Sequence, residues 1–242
     1  MIKLSDFSSF FVANWKLNGN FQFIDQFINN LSLPKDHSKC VVICPTSIHL
    51  DYMSKNKKGF YVGAQNVSEN EEGAYTGEIS VNSLLDLNIN FCITGHSERR
   101  QIYKEKDNEI NLKSDLLIRN SVIPIICIGE TLEQKEKGIT NIVLQEQLMN
   151  SIPISSSFEN TIIAYEPVWA IGTGLTPTIE EIDETHQFIR EHNDKLNKYK
   201  ILYGGSVKAS NAREITDLPN VDGALIGGAS LKSEEFTRII ED

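Results

Sequence analysis

Residues 10–19 read FFVANWKLNG: a short apolar run, Phe10 to Ala13, that stops at Asn14-Trp15-Lys16-Leu17-Asn18-Gly19. In an open dinucleotide-binding sheet the first strand is followed by G-x-G-x-x-G, whose glycines let the backbone approach a pyrophosphate. That spacing is absent, so the open-sheet reading loses its signature. Outward from this run, further Val-, Ile- and Phe-rich runs lie at 41–44, 61–64, 91–94, 123–128, 161–165, 201–203 and 223–226. Longer amphipathic or polar stretches separate them, which is the alternation of a parallel sheet with crossover helices. Eight such units in 242 residues fit a closed barrel better than an open sheet of about five or six strands. The expected fold class is therefore α/β, a single (β/α)8 barrel with parallel strands. No Pro-, Gly- or Ser-rich linker interrupts the rhythm, and residues 1–242 read as one domain.

Two helical segments are clear enough to place. After Thr176-Pro177-Thr178, Thr176 is the expected cap, Pro177 suits the first helical position, and Glu180 and Glu181 favour the first turn. The apolar face then reads Ile179, Ile182 and Ile189. In the other segment Leu144, Leu148 and Ile152 recur at i+4 steps, with Gln145, Glu146 and Gln147 expected to face water.

Composition is that of a globular protein, 40% hydrophobic and 23% charged, with 23 Lys and Arg against 33 Asp and Glu and a net charge of −10. An acidic chain without a basic run is not expected to bind nucleic acid or an anionic membrane. An anionic ligand would need a local site. Cys40, Cys44, Cys92 and Cys127 lie in or beside apolar runs without metal-ligand spacing, and read as buried reduced thiols. The opening residues lack the apolar core of a signal peptide, and no run approaches the roughly 18 apolar residues of a membrane span. A cytoplasmic enzyme or binding protein is the expectation.

In a barrel, chemistry lies at the carboxyl ends of the strands. Those positions hold Asn14 and Lys16, His96 and Glu98, Glu166, Gly204-Gly205-Ser206, and Gly227-Gly228. Glu166 follows an apolar strand and precedes Pro167-Val168-Trp169, so partial desolvation is expected to make it a stronger base than a solvated carboxylate. His96 stands at a helix start, where the positive end of the dipole disfavours imidazolium and leaves a neutral ring able to donate to a carbonyl oxygen. The Gly-Gly pairs after the last two strands offer unobstructed backbone N–H groups to a phosphate, and Ser206 adds a hydroxyl. Residues 167–174, PVWAIGTG, are too apolar for an idle loop and read as a lid. The long connection from Gln65 to Ile79 reads as a docking loop.

Taken together, NWKLNG, TGHSERR, CIGETLEQ, AYEPVWAIGTG, YGGSV and GALIGGASL resemble the triosephosphate isomerase family, in the family's order and across residues 14–231. The resemblance implies a TIM barrel that interconverts dihydroxyacetone phosphate and D-glyceraldehyde 3-phosphate in glycolysis and gluconeogenesis, without cofactor or metal. It implies Glu166 as the proton-transferring carboxylate and His96 as the electrophile at the substrate oxygens. Lys16 would supply positive charge and Asn14 orient the oxygens, while Gly172, Ser206, Gly227 and Gly228 would hold the phosphate. It further implies a homodimer through the loop from Gln65 to Ile79, with Thr76 reaching the neighbouring subunit near Asn14 and Lys16. Leu17 stands where the family often has Met, and Leu175-Thr176-Pro177 replaces its usual hinge after the lid, so Pro177 is expected to stiffen that end. Two other readings stay open on the residues alone: a Schiff-base aldolase using Lys16, and a non-catalytic sugar-phosphate binding barrel.

Overall fold

The eight apolar runs form eight parallel strands in the computed structural model, which describes residues 2–171 and 175–241. They are β1 (Ser9–Asn14), β2 (Lys39–Cys44), β3 (Tyr61–Ala64), β4 (Phe91–Thr94), β5 (Ile123–Ile128), β6 (Ile162–Tyr165), β7 (Lys200–Tyr203) and β8 (Gly223–Ile226). Each pairs with the next, and β8 returns to β1 to close the barrel. At that seam Phe10 stands opposite Gly223 and Val12 opposite Leu225. The expected boundaries fall within about two residues of these.

The intervening helices are α1 (Phe21–Asn30), α2 (Leu50–Asn56), α3 (Val81–Asp86), α4 (Ser97–Ile102), α5 (Asp107–Arg119), α6 (Leu132–Glu136), α7 (Thr140–Ser151), α8 (Ile179–Glu191), α9 (Ala212–Thr216) and α10 (Ser233–Glu241). Strand side chains alternate between two cores. Phe10, Val12, Val42, Ile93, Ile125 and Leu202 pack inside the barrel, whereas Phe11, Ala13, Ile43, Ile163 and Ile201 meet the helices outside it. Because both faces are buried, the strands read as unbroken apolar runs rather than as alternating ones. All four cysteines are buried and free.

Two helical details differ from the expectation. The cap of α8 is Thr178, not Thr176. The Glu181 N–H donates to Thr178 Oγ1 at 3.2 Å and the Thr178 N–H donates to Glu181 Oε2 at 2.9 Å. A capping box needs an acidic or amide side chain three residues after the cap; Thr178 has Glu181 there, and Thr176 has only Ile179. Pro177 is thus outside the helix. In α7, Leu144 and Leu148 are buried as expected. Ile152 lies past the helix end in an extended conformation, which Pro153 imposes on the residue before it. Gln145 and Glu146 are exposed, but Gln147 is half-buried and bonded to the main chain of Gly129, which corrects its expected place in water.

Candidate active site

Asn14 ends β1 and Lys16 follows it with φ at 50°, a left-handed conformation that costs a non-glycine residue on the order of 1 kcal/mol or more. Hydrogen bonds hold it there. The Lys16 N–H donates to Asn14 Oδ1 at 3.1 Å, and Gln65 Nε2 donates to the carbonyls of Lys16 at 2.8 Å and Cys44 at 2.9 Å. The turn lifts the ammonium over the barrel mouth, where Lys16 Nζ lies 2.7 Å from Glu98 Oε1.

His96 caps α4. Its Nδ1 accepts the Glu98 N–H at 3.2 Å, which leaves the proton on Nε2, and Nε2 faces Glu166 Oε1 at 3.0 Å. A neutral imidazole with an Nε2–H is the tautomer this geometry specifies. Arg100 steadies the same turn, donating to the carbonyls of Gly95 at 2.8 Å and Cys127 at 3.0 Å and pairing with Asp107 at 2.5 Å.

Glu166 follows β6, its N–H donating to the Ile128 carbonyl at 2.8 Å, and only 2% of the residue is exposed. Its carboxylate accepts the Ser97 N–H at 2.9 Å and Ser97 Oγ at 3.4 Å, besides facing His96. Burial pushes its pKa up, but His96, the Ser97 N–H and Lys16 outweigh burial and bring it below the usual carboxylate value. The same contact raises His96 against the opposing effect of its own burial. Desolvation alone therefore does not set the basicity of Glu166, contrary to the expectation. In this arrangement hydrogen bonds hold it as a weak base.

Asn14, Lys16, His96, Glu166, Ser206, Gly227 and Gly228 line one cavity of about 560 Å³ at the carboxyl ends of the strands. Gly172 lies outside the described residues. Lys208 and Lys232 also line this cavity; the sequence reading did not single them out. Ser206 Oγ donates to the Ala170 carbonyl at 3.1 Å, linking the loop after β7 to the segment after β6. In that segment Val168–Ala170 form one tight turn. Trp169 Nε1 donates to Glu130 Oε1 at 2.7 Å, and Lys135 Nζ sits 3.5 Å above the indole ring. Tyr165 donates to the same Glu130 oxygen at 3.2 Å. Burial raises the Glu130 pKa, with these donors opposing it.

A second cavity of about 450 Å³ opens on the other side of Lys16, among Thr46, Gln65, Asn66, Gly77, Glu98 and Tyr103. Leu17 beside it is 93% exposed. The loop from Gln65 to Ile79 is closed at its base by Ser68 N–H donating to the Ile79 carbonyl at 2.8 Å, and residues 71–78, Thr76 among them, are exposed. Among the described residues no group of three His, Cys, Asp or Glu side chains converges as a metal site, and no helix is long and apolar enough to cross a membrane.

Residues 9–242 match the model of a family described as triosephosphate isomerase. A protein named triosephosphate isomerase from Francisella tularensis subsp. mediasiatica is 42% identical over 240 residues, covering 95% of this chain and 94% of that one. Another of that name, from Mesomycoplasma hyorhinis, is 41% identical over 237 residues, covering 95% of this chain and 96% of its own.

Proposed function

The chain belongs to the triosephosphate isomerase family and interconverts dihydroxyacetone phosphate and D-glyceraldehyde 3-phosphate in glycolysis and gluconeogenesis, and from that premise we propose which residues carry each step. Glu166 removes a proton from the hydroxymethyl carbon of dihydroxyacetone phosphate. The C–H electron pair becomes the double bond of an enediolate while charge develops on the former carbonyl oxygen. His96 donates its Nε2–H to the two substrate oxygens in turn, Lys16 stabilises the developing negative charge, and Asn14 orients the oxygens. His96 gives its Nε2 proton to the former carbonyl oxygen and takes up the hydroxyl proton of the other oxygen in its place, so that return of the proton from Glu166 to the former carbonyl carbon leaves a C=O at its neighbour, the aldehyde. Ser206 Oγ and the N–H groups of Gly227, Gly228 and Gly172 bind the phosphate, and residues 167–174 close over it as a lid.

The observation that carries this reading is the shared partner of Glu166 and substrate: the His96 N–H now donates to Glu166 at 3.0 Å. A substrate carbonyl that takes this N–H releases the carboxylate from it, and a carboxylate that loses a donor gains proton affinity. Substrate arrival thus converts a weak base into a stronger one at the moment of need. The second cavity, with exposed Leu17 at its edge, supports docking of the loop from Gln65 to Ile79 of a second copy, giving a homodimer. We place the activity in the cytoplasm and assign residues 1–242 to one catalytic domain. A coupled assay of the purified protein in both directions tests the reading. Glu166→Gln, equal in shape but unable to accept the proton, is expected to lower kcat by about 10²–10⁴ with little change in KM. An unchanged kcat would remove Glu166 from the mechanism.

A further inference from the structure

The main chain that carries Glu166 leans on a residue with no side chain of its own to anchor it. A Cβ at Gly129 would stand 1.7 Å from the Glu166 carbonyl oxygen and 3.3 Å from its Cα, so only glycine allows this approach. Gly129 is held instead by the carboxamide of Gln147 on α7. Its N–H donates to Gln147 Oε1 at 2.7 Å, and Gln147 Nε2 donates to its carbonyl at 3.0 Å. One amide side chain thus satisfies both polar groups of one residue, as a neighbouring strand would.

The residues on either side of that grip hold the base and the turn after it. Ile128 accepts the Glu166 N–H at 2.8 Å and Glu130 accepts the Val168 N–H at 3.1 Å, while the Glu130 side chain takes the Trp169 indole at 2.7 Å. Gln147 grips the middle of this three-residue segment. It does not line the cavity that holds Lys16, His96 and Glu166.

We propose that Gln147 is a positioning residue for the isomerisation, acting through Gly129 to keep the Glu166 main chain in register with the substrate carbon. The proposal rests on Glu166 being the base. A displacement of about 1 Å at a reacting group costs on the order of 100-fold in rate, and the contact between Gly129 and Glu166 leaves no slack to absorb a shift.

The test compares Gln147→Leu, Gln147→Glu and Glu166→Gln in the full-length protein. Gln147→Leu keeps the size and loses both hydrogen bonds; its kcat is expected to fall about 10-fold or more. Its KM and the inhibition constant of inorganic phosphate should stay within about 2-fold, because the phosphate-binding loops are untouched. Gln147→Glu keeps an acceptor for the Gly129 N–H but sets a carboxylate against the Gly129 carbonyl. Protonation restores a donor, so its kcat relative to the parent should recover as the pH is lowered towards about 5. A Gln147→Leu kcat within 2-fold of the parent overturns the proposal, as does a loss mirrored in phosphate binding together with a flat relative pH profile for Gln147→Glu. If Gln147→Leu does not fold, the Gln147→Glu profile alone decides. A Glu166→Gln protein that stays active would overturn the premise as well, whereas an inactive Glu166→Gln beside a fully active Gln147→Leu would sink the positioning role alone.

Discussion

His186 lies on α8 where an apolar stripe continues, four residues after Ile182 and three before Ile189, and its ring packs between those of Tyr165 and Tyr203 at 5.8 and 6.3 Å. Its Nδ1 faces the Asn220 carbonyl at 3.3 Å and Nε2 has no hydrogen-bond partner among the described residues. Burial, reinforced by the nearby Arg190 charge, pushes its pKa down to about 3. The folded protein therefore keeps His186 neutral while the unfolded chain protonates it near pH 6.5. Its contribution to stability is complete above that pH and is lost as the pH falls from there towards 3. At pH 5 the loss is about 2 kcal/mol. Urea unfolding at pH 7.5 and pH 5 should show the parent losing about that much more than His186→Gln; equal losses would mean that the histidine is not held neutral. The stripe marks this histidine as buried, but nothing in its neighbours along the chain marks it as held neutral. Asn14, Lys16, His96 and Glu166 were legible as residues lining the cavity because each comes within three residues of the end of an apolar run, and a strand end in a barrel is a place of known exposure and direction. His186 and Gln147 owe their roles to Tyr203 and Gly129, contacts that no local pattern encodes.

At the level of elements, local chemistry decided the start of α8. Thr178 and Glu181 close a reciprocal pair of hydrogen bonds, and the same Glu181 reaches Lys135 Nζ at 3.0 Å, whose cation covers the Trp169 ring. The helix cap is thereby wired to the turn that follows β6. Thr178→Ala should lower stability by about 1 kcal/mol, read as a lower urea midpoint at unchanged slope and fixed protein concentration. No shift in midpoint would show that water replaces the hydroxyl at no cost. The choice between Thr176 and Thr178 was readable from the sequence, since only Thr178 has, three residues on, a side chain able to accept its N–H. Gln147 was not: it follows Leu144 by three residues, so it sits at the edge of the buried stripe, and the edge of a stripe is where periodicity stops discriminating between solvent and a buried partner.

For the whole molecule, the loop from Gln65 to Ile79 and the cavity beside Lys16 are the two halves of the proposed contact between copies. Deleting residues 73–77 removes the exposed tip and leaves the closed base, in which Ser68 bonds Ile79. The shortened protein should sediment as a monomer and lose activity through weakened support of Asn14 and Lys16; a dimer that persists would place the interface elsewhere. The barrel itself was legible from the count and spacing of its apolar runs, because strands buried on both faces leave continuous Val-, Ile- and Phe-rich segments. The seam was implied only by that count. No feature of residues 10–13 announces that their second neighbour is residues 223–226. This closure has a consequence for biosynthesis. While the ribosome makes roughly 200 residues between the two partners, at about 5–20 per second, β1 emerges and waits with one edge of backbone N–H and C=O groups unpaired. For some tens of seconds the nascent chain carries an open template for other strands, and the nascent barrel cannot complete its ring until its last strand has left the exit tunnel.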